Sequence, residues 1–296
     1  MARIIEKLTY TNERGESIEF HARSVYHTNI SKQVSGMSDV RNTIFSINSM
    51  GQDGDTDIDN RIEPREIEIL GSIKEKNRAT AREYRRRMNR ILNPQFNATL
   101  TYEYGDYKRI IPCKVDEESP KFTYEAIFYD YTIQLKCSNP FWRKDGKTRN
   151  DIATWMGLFE FPEEISIDEG WEVGYREPSL IVDVYNEGDV KSGMRVEFKA
   201  LGGVKNPMIL NVKTQEFIKI NMEMIAGDVL MVNTAYSEKE VALTRSGVTT
   251  DAYRYLDSYS KYLQLETGDN LFRYSAEENL ENLEITIHHD DLYLGV

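Results

Sequence analysis

A run of acidic side chains is the part of this sequence that comes nearest to a metal-binding motif. Aspartates alternate with other residues through positions 53–60, as oxygen ligands do in loops that surround a calcium ion. Such a loop needs a glycine at its sharp turn, but Ile58 or Asn60 stands there, depending on the residue at which the loop begins. If the loop begins at Asp53, Pro64 stands where the last glutamate ligand belongs. If it begins at Asp55, Glu66 supplies that ligand, but no helix flanks the loop. We therefore expect a long, exposed acidic loop and no metal site.

Histidines and cysteines, the usual ligands of zinc, do not have the spacing of a metal site. His21 and His27 stand apart, and the neighbours 288–289 point to opposite faces of any strand, so they do not share one ion. Cys113 and Cys137 are too few for a disulfide framework or a zinc site built on thiolates. We expect both cysteines to be buried and reduced.

The sequence contains none of the common catalytic patterns. It has no Gly-x-Ser-x-Gly, no His-Glu-x-x-His and no glycine-rich phosphate loop that opens a helix, and Cys113 has no evident base. The acidic groups 116–118 and 277–278 lie in polar turns, whereas a glycosidase needs two carboxyl groups that face each other across a cleft. We therefore predict no catalytic residue, no cofactor and no enzymatic activity.

Six arginines between Arg78 and Arg90 accompany the one clear helical pattern. Apolar residues recur at spacings of three and four from position 81 to position 92, and Pro94 ends the run. The opposite face would be basic and suited to phosphate contacts. However, two glutamates interrupt it, and the net charge of −12 disfavours non-specific binding of nucleic acid. We expect a solvated or protein-facing helix, which could pair with an acidic surface of a neighbouring subunit.

Aromatic residues in the second half of the chain could form a platform for sugars, but such rings are more often core or interface residues. The residues concerned are Trp155, Trp171, Tyr175, Tyr253, Tyr255, Tyr259 and Tyr262.

Length and composition favour two globular domains that consist mainly of β-strands. A chain of 296 residues exceeds one average domain, and its 18 tyrosines occur among many isoleucines, valines and threonines, which suit strands. No apolar stretch approaches the roughly 20 residues that cross a bilayer, and the first six residues lack the apolar core of a signal peptide. We expect no membrane insertion and a cytoplasmic location until assembly or lysis.

The first half reads as a sheet with one packed helix, and the second half as a sandwich or jelly roll. An alternating pattern predicts an opening hairpin, with a turn at residues 12–15 and a return through residues 17–20. Further strands of the first half are predicted at residues 43–49, 66–73, 99–104, 108–115 and 124–137. Strands of the second half are predicted at residues 180–185, 194–200, 208–212, 216–220, 228–233, 240–244 and 284–288.

Several short motifs give the chain a resemblance to the distal tail protein (Dit) family of long-tailed bacteriophages. In the first half these are the Gly-Gln-Asp-Gly run at 51–54, the Leu-Asn-Pro after the helix and the Cys-Ser-Asn-Pro-Phe-Trp run at 137–142. In the second half they are Asn-Glu-Gly-Asp at 186–189, the strand after Pro207, Gly-Asp at 227–228 and Gly-Asp-Asn at 268–270. The resemblance spans nearly the whole chain.

The resemblance implies a structural hub and not an enzyme. Residues 1–142 would form a hexameric ring, residues 143–150 a linker, and residues 151–296 a galectin-like sandwich that projects outward. The homo-hexamer would join the tail tube protein to a tail-associated lysin or central tail-tip protein and, in some phages, support receptor-binding proteins. It would lie in the virion at the tail tip, without sequence-specific binding of nucleic acid. A carbohydrate-binding module that contacts host glycans through the second domain is the alternative.

Overall fold

The chain was analysed as a computed structural model. The residues that the structure describes are 6–21, 29–51, 53–75, 77–116, 119–125, 128–146, 148–151, 154–157, 174–177 and 181–296. No helix among them is long and apolar enough to cross a membrane.

Two compact units make up the chain, and their limits differ from the predicted domains at one end. The first unit consists of Met1–Asp145 together with Tyr293–Val296, and the second consists of Gly146–Leu292. The predicted second domain ran to residue 296, whereas the last four residues belong with the first unit because they pack on its strands and loops.

The first unit is built from a long sheet, a two-stranded arm and one helix. Its elements are β1 (Glu6–Asn12), β2 (Ser17–His21), β3 (Asn29–Ser35), β4 (Asn42–Ile47), β5 (Thr56–Ile62), β6 (Arg65–Lys74), α1 (Arg78–Ile91), β7 (Ala98–Tyr104), β8 (Tyr107–Val115), β9 (Lys121–Glu125), β10 (Phe128–Cys137) and β11 (Trp142–Arg143). The predicted opening hairpin is confirmed, since β1 pairs antiparallel with β2.

The long sheet closes on itself as a barrel. Strands follow in the order β8-β7-β1-β2-β3-β6-β10, and β10 pairs again with β8. The free edge of β8 is shared, because Ile110 pairs with β11 near one end while Lys114 and Val115 pair with β10 near the other. The strand β27 (Leu292–Tyr293) extends the sheet beyond β11. Closure leaves few unpaired strand edges and gives the unit one enclosed core.

Alternating side chains fill the barrel, and the helix packs its apolar face on the same core. Tyr10, Leu100, Ile111 and Ile133 are fully buried there. Met88 of α1 belongs to this cluster, together with Ala81 and Ile91, so the spacing of three and four predicted this face correctly. The side-chain oxygen of Asn77 accepts from the backbone N of Thr80 at 2.9 Å and caps the helix.

The expected acidic loop at residues 53–60 is wrong in most of its length. Residues from Thr56 onward form β5, which pairs antiparallel with β4 in a separate two-stranded sheet. Only the turn before Thr56 is irregular. The strand escaped prediction because acidic and apolar side chains alternate at residues 57–59 and every residue before Ile62 is exposed, so the pattern gives no buried face. Likewise, the segment predicted at 124–137 belongs to two strands, β9 and β10, which form a hairpin.

The second unit has the predicted rhythm of short strands. Its elements are β12 (Thr148–Asp151), β13 (Thr154–Gly157), β14 (Gly174–Glu177), β15 (Ile181–Asn186), β16 (Ser192–Ala200), β17 (Val204–Lys205), β18 (Met208–Asn211), β19 (Phe217–Lys219), β20 (Glu223–Met224), β21 (Val229–Asn233), β22 (Glu240–Arg245), β23 (Val248–Asp251), β24 (Gln264–Leu265), β25 (Gly268–Ser275) and β26 (Leu283–His289). Single 3-10 turns occur at Tyr253–Tyr255 and Leu280–Asn282.

Two antiparallel sheets share the core of the second unit, as the predicted sandwich requires. One runs β12-β26-β16-β21-β22-β23, with β24 beside β16, and the other runs β15-β25-β18-β19. Phe198 and Ile287 of the first sheet and Ile209 and Phe272 of the second are fully buried in one cluster. The mainly β fold class is confirmed.

Buried asparagines explain two of the short motifs in this unit. The amide of Asn186 donates to the carbonyls of Val190 and Leu265, at 3.1 and 3.3 Å, and its oxygen accepts from the N of Gly188 at 2.9 Å. The amide of Asn270 donates to three backbone carbonyls and fastens the turn before β25. Each side chain replaces backbone partners that a turn lacks.

Candidate interaction surfaces

The residues that could have formed a metal site are dispersed. No three His, Cys, Asp or Glu side chains of the described ranges lie close enough together to hold an ion. His289 is buried 3.4 Å from Asp291, whereas His288 lies on the other face of β26, 3.7 Å from Glu197. His21 is buried 3.4 Å from a carboxylate oxygen of Glu19. His27 lies outside the described residues.

Both cysteines are buried and free, as expected from their number and surroundings. Burial raises the pKa of the Cys137 thiol to about 12 and the pKa of the Cys113 thiol further still. A nucleophilic cysteine needs the opposite shift. These thiols therefore serve as core side chains of the barrel.

A lysine forms ion pairs with both carboxylates of the acidic pair Glu277 and Glu278. The Nζ of Lys205 lies 3.7 Å from the first carboxylate and 2.7 Å from the second. Asn206 also donates to Glu277 and, with the lysine, lowers its pKa. Exposed ion pairs of this kind stabilise a turn weakly. In the other acidic group only Asp116 is described, and residues 117–118 lie outside the described ranges.

The described aromatic side chains named as a sugar platform differ in their surroundings. Tyr253 and Tyr259 are exposed, but Tyr255 packs partly on the core of its unit. The ring of Tyr262 has Lys239 Nζ 4.6 Å from its centroid. Trp155 and Tyr175 lie on the paired strands β13 and β14, of which only the backbone is described, and Trp171 lies outside the described residues.

The arm formed by β4 and β5, residues 42–62, is the most exposed apolar feature of the first unit. Ile44, Phe45, Ile47 and Ile58 leave between 47% and 60% of their surfaces exposed, and Met50 at the tip is fully exposed. The arm also carries all four aspartates of the former acidic run. Contiguous apolar side chains at a surface of this kind mark sites of interaction between proteins.

The basic face of α1 is exposed in its middle and anchored at its sides. Arg90 pairs with Glu16 at 2.9 Å, and Arg85 lies over the ring of Tyr129, 5.1 Å from its centroid. Arg82 and Arg86 are exposed, and neither forms an ion pair within the described part of the chain. These two positions, four residues apart, lie on one face of the helix.

A buried arginine that the sequence did not point to organises the opposite part of this unit. Arg65, only 4% exposed, donates to five backbone carbonyls and forms no ion pair with a carboxylate of the described residues. The acceptors belong to Gly36, Met37, Asp39, Pro140 and Leu294. Burial lowers the pKa of the guanidinium from its ordinary value. We call these residues the Arg65 cluster.

Two neighbours complete the Arg65 cluster and explain the motif at 137–142. The indole of Trp142 is fully buried and donates from Nε1 to the carbonyl of Met37 at 3.0 Å. The guanidinium of Arg109 lies between the rings of Tyr107 and Tyr293, at 4.4 and 4.0 Å from their centroids. The motif therefore lies where the chain leaves β10. There it packs on the first unit beside the segment 293–296.

Two family models match the chain in tandem. Residues 14–154 match the phage tail protein RIFT-related domain, and residues 187–291 match the C-terminal domain of the siphovirus-type tail component. This chain belongs to the distal tail protein family of siphophages. It is therefore a structural component of a phage tail. No curated protein sequence matches the chain.

Solved structures agree with this family. The crystal structure of the Dit protein of phage SPP1 aligns with a TM-score of 0.70 at 12% identity, over 96% of this chain and 98% of that one. That protein is described as a paradigm of the hub adsorption apparatus in phages that infect Gram-positive bacteria. A chain of the activated phage P2 baseplate with calcium aligns with a TM-score of 0.52 at 12% identity, over 96% and 97% of the two chains. At these identities the match establishes the fold.

Proposed function

We propose that this distal tail protein is the hub of the tail tip, in which six copies form a ring through their first units. The ring joins the tail tube protein to the tail-associated lysin or central tail-tip protein, and the second units project outward. The alignment over almost the full length of the SPP1 Dit protein is the observation that carries this proposal.

The features of the two units support a role in assembly. The first unit has an exposed apolar arm and an exposed basic helix face, both suited to contacts with other proteins. Its closed barrel and the Arg65 cluster give those surfaces a rigid support. The second unit is a sandwich of the kind that can support receptor-binding proteins, and the family gives no reason to assign a catalytic step or a cofactor to it.

The passage of DNA sets a requirement on the ring. Its inner surface must not hold the phosphate backbone, so acidic or neutral side chains line the lumen. The arginines between Arg78 and Arg90 face protein or solvent. The protein is made in the host cytoplasm, incorporated into the virion during assembly, and makes no sequence-specific contact with DNA.

Host glycans provide the alternative ligand for the second unit. Exposed Tyr253 and Tyr259 could stack on sugars, but neither the matched family nor the aligned structures favour a carbohydrate-binding module. A glycan array with the full-length protein tests this alternative, because strong and selective binding would shift the assignment toward it.

Light scattering with negative-stain electron microscopy of the purified protein tests the hub. A hexamer has six times the 34.4 kDa mass of the chain, about 206 kDa, and should appear as rings. Gold-labelled antibodies against the protein should decorate the tips of intact tails. Label at another part of the particle, or rings with a different number of members, would overturn the proposed arrangement.

A further inference from the structure

Both faces of the arm carry apolar and acidic side chains. Phe45 pairs with Asp59, and the next pair across the bulge joins Ser46 to Asp57. Directly paired residues share a face and successive residues alternate. One face therefore presents Phe45 with Asp59, and the other presents Asp57. Ile44 lies on the face of Asp57, and Ile47 lies on the face of Phe45.

Nothing in the described part of the first unit covers this arm. Its two strands form a sheet of their own, and their large apolar side chains are about half exposed. A hairpin of two strands is marginally stable in water without a surface to pack against. The arm is thus built to be covered on both faces by another surface.

The acidic character of the arm limits what that surface can be. Residues 48–60 contain four aspartates and no lysine or arginine. Ser46 and Asn48 donate to Asp55, at 3.1 and 3.2 Å, and the backbone N of Asn60 donates to Asp59 at 2.8 Å. Asp57 and Asp59 remain exposed. A partner with exposed cations would complement them, and a second acidic surface would repel them.

The middle of α1 offers the matching surface on the same chain. The helix carries six arginines and one glutamate, although the protein as a whole has a net charge of −12. Arg82 and Arg86 are exposed and have no ion pair in the described residues. An exposed row of unpaired arginines on an acidic protein is the feature that an acidic arm would recognise.

We propose that the arm of one subunit docks on the basic face of α1 of a second copy of this chain, with the face of the arm that carries Phe45 and Asp59 against Arg82 and Arg86. The proposal rests on the cyclic assembly proposed above and names the contact that would form it. Two different patches of one chain meet in this contact, so it is heterologous, and a heterologous contact closes into a ring when the rotation between subunits permits. The complementary charges also offset the repulsion between acidic chains as they approach.

A charge swap in the full-length protein tests this contact. One variant carries Asp59→Lys, a second carries Arg82→Glu and Arg86→Glu, and a third carries all three changes. Sedimentation equilibrium gives the association constant of each. Each of the first two variants should associate at least about tenfold more weakly than the wild type, and the combined variant should recover to within about threefold.

Controls separate a specific contact from a general effect of charge. Asp106→Lys and Lys213→Glu make the same kinds of change at exposed positions outside the arm and helix and should leave association unchanged. Circular dichroism of every variant shows whether the fold is kept. Raising the salt concentration should weaken association of the wild type, because exposed charges are then screened.

Three results would overturn the contact. The contact is refuted if Asp59→Lys, or Arg82→Glu with Arg86→Glu, associates as strongly as the wild type. Failure of the combined variant to recover also refutes it, and so does a wild type that remains monomeric at the highest concentration tested. If Arg82→Glu with Arg86→Glu abolishes retention of duplex DNA without changing the mass, the arginines serve nucleic acid instead. Antibody labelling at the tail tip tests the proposed hub function separately, because its result does not depend on which surfaces of the subunits are in contact.

Discussion

Replacing Arg65 by lysine should destabilise the first unit more than any exposed substitution of the same kind. The Nε of the guanidinium donates to Pro140 and Nη2 donates to Leu294, while the two N–H groups of Nη1 share three further carbonyls, so five carbonyls accept from this one group. An ammonium group has three N–H donors on a single nitrogen and does not reach acceptors arranged around a planar fork. Arg65→Lys keeps the positive charge and removes at least two hydrogen bonds.

The size of the loss follows from the groups left without a partner. A buried polar group that loses its hydrogen bond costs about 1–3 kcal/mol. Two such carbonyls give a loss of about 2–5 kcal/mol in the free energy of unfolding, after some relaxation of the loops. The first unit has about 150 residues, for which each kcal/mol lowers Tm by roughly 2–4 °C. The variant should therefore melt about 4–20 °C below the wild type.

Fluorescence of Trp142 reports on this cluster directly. The chain has three tryptophans, so Trp155→Phe with Trp171→Phe leaves Trp142 as the sole emitter. Its indole is fully buried and bonded to the carbonyl of Met37, which also accepts from Arg65. Exposure of the indole on heating or in urea therefore follows unfolding of the first unit, whatever the second unit does.

Arg41→Lys is the matched control for this measurement. The side chain of Arg41 is 71% exposed and forms an ion pair with Glu66 at 3.5 Å, so its replacement should change stability by less than about 1 kcal/mol. A loss below about 1 kcal/mol for Arg65→Lys, or one equal to that of the control, would refute the reasoning, because the five carbonyls would then be satisfied without the guanidinium.

Other substitutions probe the backbone and the second unit. Gly36 and Gly15 have φ values of +80° and +78°. A Cβ at Gly36 would lie 2.0 Å from the carbonyl oxygen of Glu66, whereas a Cβ at Gly15 would have open space. Urea unfolding should therefore show a loss of about 1 kcal/mol in the free energy of unfolding for Gly15→Ala and several times more for Gly36→Ala. Arg245 lowers the pKa of buried Asp228 below its ordinary 3.8, so this stabilisation is complete well above pH 3.8 and is lost as the pH falls through the folded-state pKa. Asp228→Asn should remove about 1–3 kcal/mol at pH 7 and weaken the acid dependence of unfolding. The two thiols should react with a disulfide reagent only as the first unit unfolds, and rapid reaction of the native protein would contradict their burial.

Local patterns predicted the elements whose buried faces repeat regularly. The helix was recognisable because Ala81, Met88 and Ile91 keep a period of three to four, and β16 and β26 because their buried residues alternate. Gly268–Ser275 also alternates, but its opening Gly-Asp-Asn is typical of a turn, and the sequence did not predict this strand. Only the turn before it was expected. Of the two strands of the arm, β4 was predicted, but β5 was missed for the opposite reason, since it has no buried face to show a period.

The interaction surfaces were predictable to different degrees. The basic face of α1 follows from helix geometry alone, because charged residues opposite an apolar stripe must face outward. Arg65 could not be identified in this way. Its acceptors lie 26 to 229 positions away in sequence, and no local pattern shows which carbonyls will surround a given guanidinium. The run at 137–142 was recognised as a motif, but its physical role depends on those distant partners.

The returning segment 293–296 changes how the first unit must be understood. The sequence suggested two consecutive domains, so that the first would be complete at residue 142. In the structure, Leu294 supplies one acceptor of Arg65 and Tyr293 supplies one of the two rings around Arg109. A chain cut after residue 142 would lose both and leave two buried guanidinium groups with fewer partners, which costs more than the loss of four surface residues. The second unit is therefore an insertion between two segments of the first, and the first unit depends on residues that come after the second in the chain.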